Sequence, residues 1–210
     1  MNKRFLILTI CLSALTLSMV AQGDGGPKTK MMTFKFGLKA GANLANINNG
    51  MNSLDFSPDM KVDFHAGIVG NLHFGRRNEG SPAGTGLFGL QPELLYSRQG
   101  FAFDGESYNM DYITLPIMLK VYVVQGFNIE VGPYISYLLG VSPSSTVIDG
   151  AQIKLSDLEG GMDAGIGMGL GFETKAGFTV GARYSLGLSD VADNLAWKNN
   201  VISASIGWLF

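Results

Sequence analysis

Charge is scarce in this sequence: Asp, Glu, Lys and Arg make up 15% of its 210 residues, against roughly 25% in an ordinary soluble domain. With 46% hydrophobic residues, so little charge excludes a disordered tail, which needs the opposite balance. Long apolar runs are also missing beyond the N-terminal segment. That excludes a bundle of membrane-spanning helices, each of which needs about 20 apolar residues. A net charge of −2 leaves no basic footprint for nucleic acid. Cysteine occurs once, as Cys11 in the N-terminal apolar segment, so the remainder has neither disulfides nor thiol chemistry. Glycine, by contrast, is abundant at 29 residues, about twice the usual share near 7%.

Residues 1–21 read as a secretory signal peptide. Lys3 and Arg4 supply the positive start, Phe5 to Val20 the uncharged apolar stretch, and Ala21 the small residue before a polar segment. A membrane anchor is the alternative, but the stretch is short and carries Thr9, Ser13, Thr16 and Ser18. Cys11 follows Ile10 inside that stretch, away from the boundary where a lipoprotein would place its cysteine. Cleavage removes two bases and no acid, which leaves the mature chain more acidic than the precursor. Residues 22–32 are then a short linker and 33–210 the folded domain.

That domain alternates in hydropathy with period two, as expected when successive side chains of a strand point to opposite faces. Phe34, Phe36, Leu38, Ala40, Ala42 and Leu44 share one parity; Lys35, Gly37, Lys39, Gly41 and Asn43 share the other. The pattern returns around Val62–Phe74, Phe88–Ser97, Ile113–Val121, Phe127–Leu139, Met162–Glu173, Phe178–Leu188 and Ile202–Phe210, which makes eight long strands. Two closed architectures fit. A soluble barrel turns its apolar face inward, and a transmembrane barrel turns it outward. Side-chain size favours the second. The apolar parity is bulky and uncharged in all eight segments, whereas the other is crowded with glycine, as in Gly165, Gly167, Gly169 and Gly171. A narrow lumen has room for small residues, and lipid demands closure because an open edge would leave backbone groups unpaired.

The expected connections alternate in length. Residues 45–60, 99–109, 141–158 and 189–199 are long and belong outside. Residues 123–126 and 174–176 are tight turns on the periplasmic side, and 76–85 is a longer exception. Phe34, Phe36, Phe74, Phe88, Phe127, Phe172, Phe178, Trp208 and Phe210 all fall at the strand ends assigned to the periplasmic interface, where they form one girdle. Tyr96, Tyr137 and Tyr184 lie nearer the other side.

The sequence offers no catalytic, cofactor or metal constellation. The glycine run at 165–171 has strict period two, not the spacing of a dinucleotide fingerprint. His65 and His73 share the inward parity but stand eight residues apart, about 27 Å along a strand, too far to ligate one metal. The inward charges say more. Lys35, Lys39, Lys120 and Arg183 are basic; Asp63, Glu93, Glu130, Asp163 and Glu173 are acidic. In a lumen too narrow for bulk water, unpaired charges are costly, so a salt-bridged network that plugs the barrel is expected. A small gated pore is the alternative.

Several strings carry a family resemblance. Leu90-Gln91-Pro92-Glu93-Leu94-Leu95-Tyr96-Ser97-Arg98-Gln99-Gly100 resembles the third-strand signature of the PorT-like outer-membrane β-barrel family of Gram-negative bacteria. Tyr112-Ile113-Thr114-Leu115-Pro116-Ile117-Met118-Leu119-Lys120 is similar to its fourth strand. Val131-Gly132-Pro133-Tyr134-Ile135-Ser136-Tyr137, Arg183-Tyr184-Ser185-Leu186-Gly187-Leu188 and Gly37-Leu38-Lys39-Ala40-Gly41-Ala42-Asn43 fit as well. The resemblance implies an eight-stranded antiparallel up-and-down transmembrane barrel in the outer membrane, with no catalytic residues and no cofactor. Thr114 departs from the acidic residue usual there, which removes one lumen ion pair. Trp208 and the terminal Phe210 resemble the signal read by the barrel insertion machinery. The implied partners are outer-membrane lipid, that machinery and, through the founding member's link to protein export, secretion components. The leading expectation is a structural or interaction protein that acts through its outer loops. A small channel or secretion accessory comes second, and a lipid-modifying enzyme third.

Overall fold

The computed structural model describes residues 32–49, 59–77, 86–103, 106–124, 126–143, 145–148, 151–154, 161–188 and 197–210. The expected leader, residues 1–21, lies outside the described residues, as does most of the linker. Eight strands close into one antiparallel barrel: β1 (Thr33–Asn49), β2 (Asp59–Arg77), β3 (Gly86–Phe103), β4 (Glu106–Val124), β5 (Phe127–Ser142), β8 (Met162–Glu173), β9 (Phe178–Gly187) and β10 (Trp197–Leu209). Each pairs with its neighbour in sequence, and β1 meets β10 to close the cylinder. Between β5 and β8, the short strands β6 (Ser145–Ile148) and β7 (Ala151–Lys154) form a separate two-stranded sheet.

The expected parity holds along the described strands. Leu38, Ile68, Ile117, Ile135, Ile166, Met168, Val180 and Ile206 face outward and are exposed. Their strand neighbours on the other parity face a filled interior. The aromatic residues named above, from Phe34 to Phe210, ring the outer surface at the end where β1 begins and β10 ends. There Phe74 stacks on Phe88 at 5.9 Å and Phe178 leans on Trp208 at 6.4 Å.

Two expectations need correction. Strand pairing continues well past the expected ends. Residues 99–109 are mostly strand, with Gly100 opposite Asn109 and Phe103 opposite Glu106, so this connection is a hairpin extension and not a long loop. Residues 45–49 continue β1 against β10. The 141–158 connection contains β6 and β7. The reason is that strand pairing needs only extended backbone and a partner, so it persists where the hydropathy alternation has already faded.

The extension also puts charge on the outward face. Arg98 and Asp111 lie on that parity near the loop end, paired at 2.7 Å, with the Tyr96 hydroxyl donating to Asp111 at 2.6 Å and the guanidinium 5.7 Å above the Phe64 ring. The outward parity is therefore charge-free along its apolar band and not beyond it. Finally, bulk is not confined to the outside, because Tyr108, Met110, Tyr112, Met118 and Tyr122 of β4 all point inward and are buried.

At the turn end two glycines hold the strands in register. Gly126 and Gly177 have φ of 92° and 94°, a region that side chains rarely adopt. Gly177 also accepts a hydrogen bond from the Leu209 amide at 2.8 Å. A Cβ on Gly177 would sit 2.0 Å from the Leu209 carbonyl oxygen, so the turn fixes β8–β9 and also seats the end of β10. Gly177→Ala is expected to destabilise the folded barrel by more than about 1 kcal/mol, measured as a lower urea midpoint of the folded gel band in detergent.

Candidate functional site

The lumen gathers the largest group of ionisable side chains among the described residues, and it is filled in layers. At the turn end, Lys35 of β1 pairs with Glu173 of β8 at 2.8 Å. The Tyr122 hydroxyl donates to Glu173 at 2.7 Å and accepts from Asn71 Nδ2 at 3.1 Å and His73 Nε2 at 2.8 Å. Side chains of three other strands, β1, β2 and β4, converge on one carboxylate that is almost wholly buried. A buried carboxylate needs that many donors, because each unsatisfied lone pair costs desolvation without return.

The next layer has Arg183 of β9 at its centre. Its Nη1 and Nη2 donate to Glu93 of β3 at 2.9 and 2.7 Å, a bidentate fork, and its Nε donates to Glu130 of β5 at 2.7 Å. Lys39 of β1 approaches Glu93 at 3.1 Å, Lys120 of β4 approaches Glu130 at 3.6 Å, and Gln91 donates to Glu93 at 2.6 Å. The guanidinium suits this position because its planar fork matches a carboxylate on one edge and leaves Nε for a second. One side chain thus ties three walls of the barrel together across its axis.

Above it lies a polar layer. His65 Nδ1 donates to Asn43 Oδ1 at 2.8 Å, which leaves Nε2 to accept from Ser205 at 3.0 Å. Asn43 Nδ2 donates to Ser97 Oγ at 3.0 Å, and Thr114 bonds Ser136 at 3.0 Å. Toward the loop end the filling turns apolar with Ala45, Met110, Tyr112, Leu138 and Val201, all buried. Lys61 pairs with Asp63 at 3.0 Å and also with Asn109. Asp163 receives the Tyr134 hydroxyl at 3.5 Å.

All nine charged residues singled out from the sequence therefore face the lumen. Lys35, Lys39, Glu93, Lys120, Glu130, Glu173 and Arg183 form ion pairs with one another, and Asp63 pairs with Lys61. Trp208 and Phe210 lie apart from them, outward at the turn end. Sequence reasoning missed Lys61, whose inward parity was readable two residues before Asp63. It also missed the inward face of β4. Met118 and Tyr122 occupy the space that glycines elsewhere leave open: a Cβ on Gly167 would lie 3.4 Å from Met118 Cε, and one on Gly89 would lie 3.2 Å from the Tyr122 ring. Among the described residues no three His, Cys, Asp or Glu side chains converge on a metal position.

Two small cavities flank the Arg183 layer, about 50 Å³ on the loop side and about 30 Å³ on the turn side. A single water needs roughly 10–15 Å³, so each holds a few waters at most. Lys39 and Arg183 line both, which makes the ion cluster the wall between them.

Comparison with known proteins agrees with this architecture. The family described as "Outer membrane protein beta-barrel domain" matches residues 20–193. No curated protein matches the sequence. Among solved structures, the attachment invasion locus protein Ail of Yersinia pestis superposes with a TM-score of 0.50 at 12% identity, covering 84% of this chain and 98% of Ail. Neisserial surface protein A superposes with a TM-score of 0.51 at 12% identity, covering 83% of this chain and 97% of its own. At such identities the likeness is one of fold.

Proposed function

We propose, from the premise that this chain belongs to the outer membrane protein beta-barrel domain family, that it is a closed outer-membrane barrel whose lumen is a structural plug and whose work is done by its outer connections. The observation that carries this reading is the Arg183 cluster. A guanidinium held by Glu93 and Glu130 from two other strands, flanked by Lys39 and Lys120, leaves cavities of only about 50 and 30 Å³ on either side. Ion flow would require that cluster to open. Pure protein in a planar bilayer is therefore expected to show no steady single-channel current; a reproducible unitary conductance would overturn the plug.

With the lumen occupied by structure, binding falls to the rim. Loops on rigid scaffolds commonly carry recognition, and the loop end carries the β3–β4 extension and the β6–β7 sheet. The PorT-like signature strings lie on the strands that supply Glu93, Lys120 and Arg183. We therefore read the resemblance as one of scaffold, with a structural or interaction role for the rim and secretion components among its possible partners.

The C-terminal residue Phe210 extends beyond β10, and its amide donates to the Phe36 carbonyl at 2.7 Å. Phe210 is 71% exposed and stands outside the packed lumen, and we read it as the mark taken up by the insertion machinery. Phe210→Ser is expected to lower the amount of protein assembled in cells several-fold while leaving refolding of the purified chain in detergent unchanged. Equal losses in both would assign Phe210 to the fold instead.

A further inference from the structure

One row of the lumen holds more than packing requires. Gly41 of β1 stands opposite His65 of β2 on one side and opposite Ser205 of β10 on the other. With no side chain between them, the imidazole reaches across β1: a Cβ on Gly41 would lie 2.6 Å from His65 Cε1 and 2.8 Å from its Nε2. Nε2 comes to 3.0 Å from Ser205 Oγ, and Nδ1 to 2.8 Å from Asn43 Oδ1. A hydroxyl, an imidazole and an amide thus stand in line, the order of a nucleophile, its base and the group that orients the base. His65 lies 22 residues from Asn43 and 140 from Ser205, so no local motif carries the arrangement.

The surroundings set the direction of each hydrogen bond. Asn43 Nδ2 donates to the carbonyl oxygens of Phe64 and Arg98 at 3.3 and 2.9 Å. A carbonyl only accepts, so the amide cannot be turned round, and its oxygen is the atom that meets His65. That oxygen fixes the imidazole proton on Nδ1. Nε2 keeps its lone pair, and the Ser205 hydroxyl donates to it. Any partner would satisfy a core serine; this one has a base whose tautomer is locked. All three side chains are buried, and all three line the loop-side cavity. Lys39 and Arg183 line it too, and N–H donors of this kind stabilise an oxyanion as it develops. Leu95, Pro116, Met118 and Val201 supply an apolar wall.

We propose that Ser205 is the nucleophile and His65 the general base of an ester-cleaving site, with Asn43 as its positioning residue and a carboxylic ester of a short acyl group as its substrate. Ser205 Oγ bonds to the ester carbonyl carbon while its proton passes to His65 Nε2. The bond from that carbon to the alcohol oxygen then breaks, and the Nε2 proton leaves with the alcohol. Water attacks the acyl-serine, giving its proton to Nε2; the acid departs as the acyl–Oγ bond breaks, and Ser205 takes the proton back. The cavity of about 50 Å³ sets the acyl size, since one water needs roughly 10–15 Å³: a short acyl group fits and a fatty chain does not. The site lies on the loop side of the Arg183 layer and leaves that layer closed, so conductance tests the plug and the experiment below tests the site.

The test treats the folded barrel in detergent with a small alkyl fluorophosphonate, which loses fluoride as a serine oxygen bonds to its phosphorus, and maps the adduct by peptide mass. One adduct is expected, on Ser205, in the heat-modifiable band. The wild-type map needs no variant, so it stands even where a substitution harms folding. Hydrolysis of p-nitrophenyl acetate should fall about 10²-fold or more in Ser205→Ala and in His65→Gln, the scale of a lost base. Ser203→Ala, a serine on the same strand that bonds the Arg183 carbonyl instead, should hydrolyse and label as wild type does. Asn43→Ala frees the tautomer and should lower kcat at least about tenfold with KM unchanged, a split that loss of packing alone would not produce. A folded wild-type barrel that takes no label, or takes it on another serine, overturns the proposal. Hydrolysis undiminished in Ser205→Ala does the same.

Discussion

Replacing Glu93 by Gln is expected to lower the stability of the folded barrel by about 3–5 kcal/mol, the range for removing one partner from a buried ion pair. The size follows from how many groups depend on that carboxylate. Its side chain has no solvent exposure, and it receives both terminal nitrogens of Arg183, the Lys39 ammonium and the Gln91 amide. Gln preserves the shape, so the loss is one of charge and not of volume. After the change, Lys39, Lys120 and Arg183 face Glu130 alone. The urea midpoint of the folded, heat-modifiable gel band should fall accordingly. Adding Lys39→Met to the Glu93→Gln chain removes the stranded ammonium and should recover part of the loss, with a coupling between the two sites of roughly 0.5–3 kcal/mol. Simple additivity would mean that the two groups do not share a closed layer.

The second large effect lies on the opposite face of the wall. Ile166→Arg should cost about 2–4 kcal/mol, the penalty for a cation at the midplane of a lipid-facing strand. Ile166 is outward and exposed on β8. It stands six residues from Phe172 in the aromatic girdle, which at about 3.4 Å per residue and a tilt near 40° puts it roughly 15 Å into an apolar band about 25 Å tall. Leu188→Arg is the control. Leu188 is equally outward but lies at the loop end of β9, where the penalty falls to about 0–1 kcal/mol. Equal costs at both positions would remove the depth dependence that lipid imposes. A neutral Ile166→Arg would mean that the apolar parity does not face the bilayer.

The alternation of Phe34 to Leu44, or of Met162 to Glu173, was enough to read the strands and their parity, because hydropathy along a lipid-facing strand is imposed residue by residue. The strand ends were less legible. Above the apolar band no such constraint acts, so Gln99 to Asn109 read as loop although it pairs as strand. One signal was overlooked: Asp149-Gly150 between Thr146-Val147-Ile148 and Ala151-Gln152-Ile153 is the strongest short-range hairpin signature there is.

The lumen charges were legible as a set, and their partners were not. Lys39 meets Glu93 across 54 residues of sequence, Arg183 meets Glu93 across 90, and Lys35 meets Glu173 across 138. Those distances are set by strand tilt and stagger around the closed barrel, which no single strand encodes. The inward bulk of β4 was hidden for a related reason. Tyr122 and Met118 fit only because glycines on other strands leave them room, and that complementarity runs across the lumen and not along the chain.

The seam between β1 and β10 sets a timing constraint on biogenesis. Gly37 pairs with Leu209 and Asn49 with Trp197, so the first strand made waits for the last. Until then the sheet has two unpaired edges, which hydrocarbon does not tolerate, and the most distant pairing must form before the structure is safe. A chain halted anywhere before its final strand therefore has no stable partial form in the membrane. Closure of the β1–β10 seam and exposure of the sheet to lipid are therefore coupled steps.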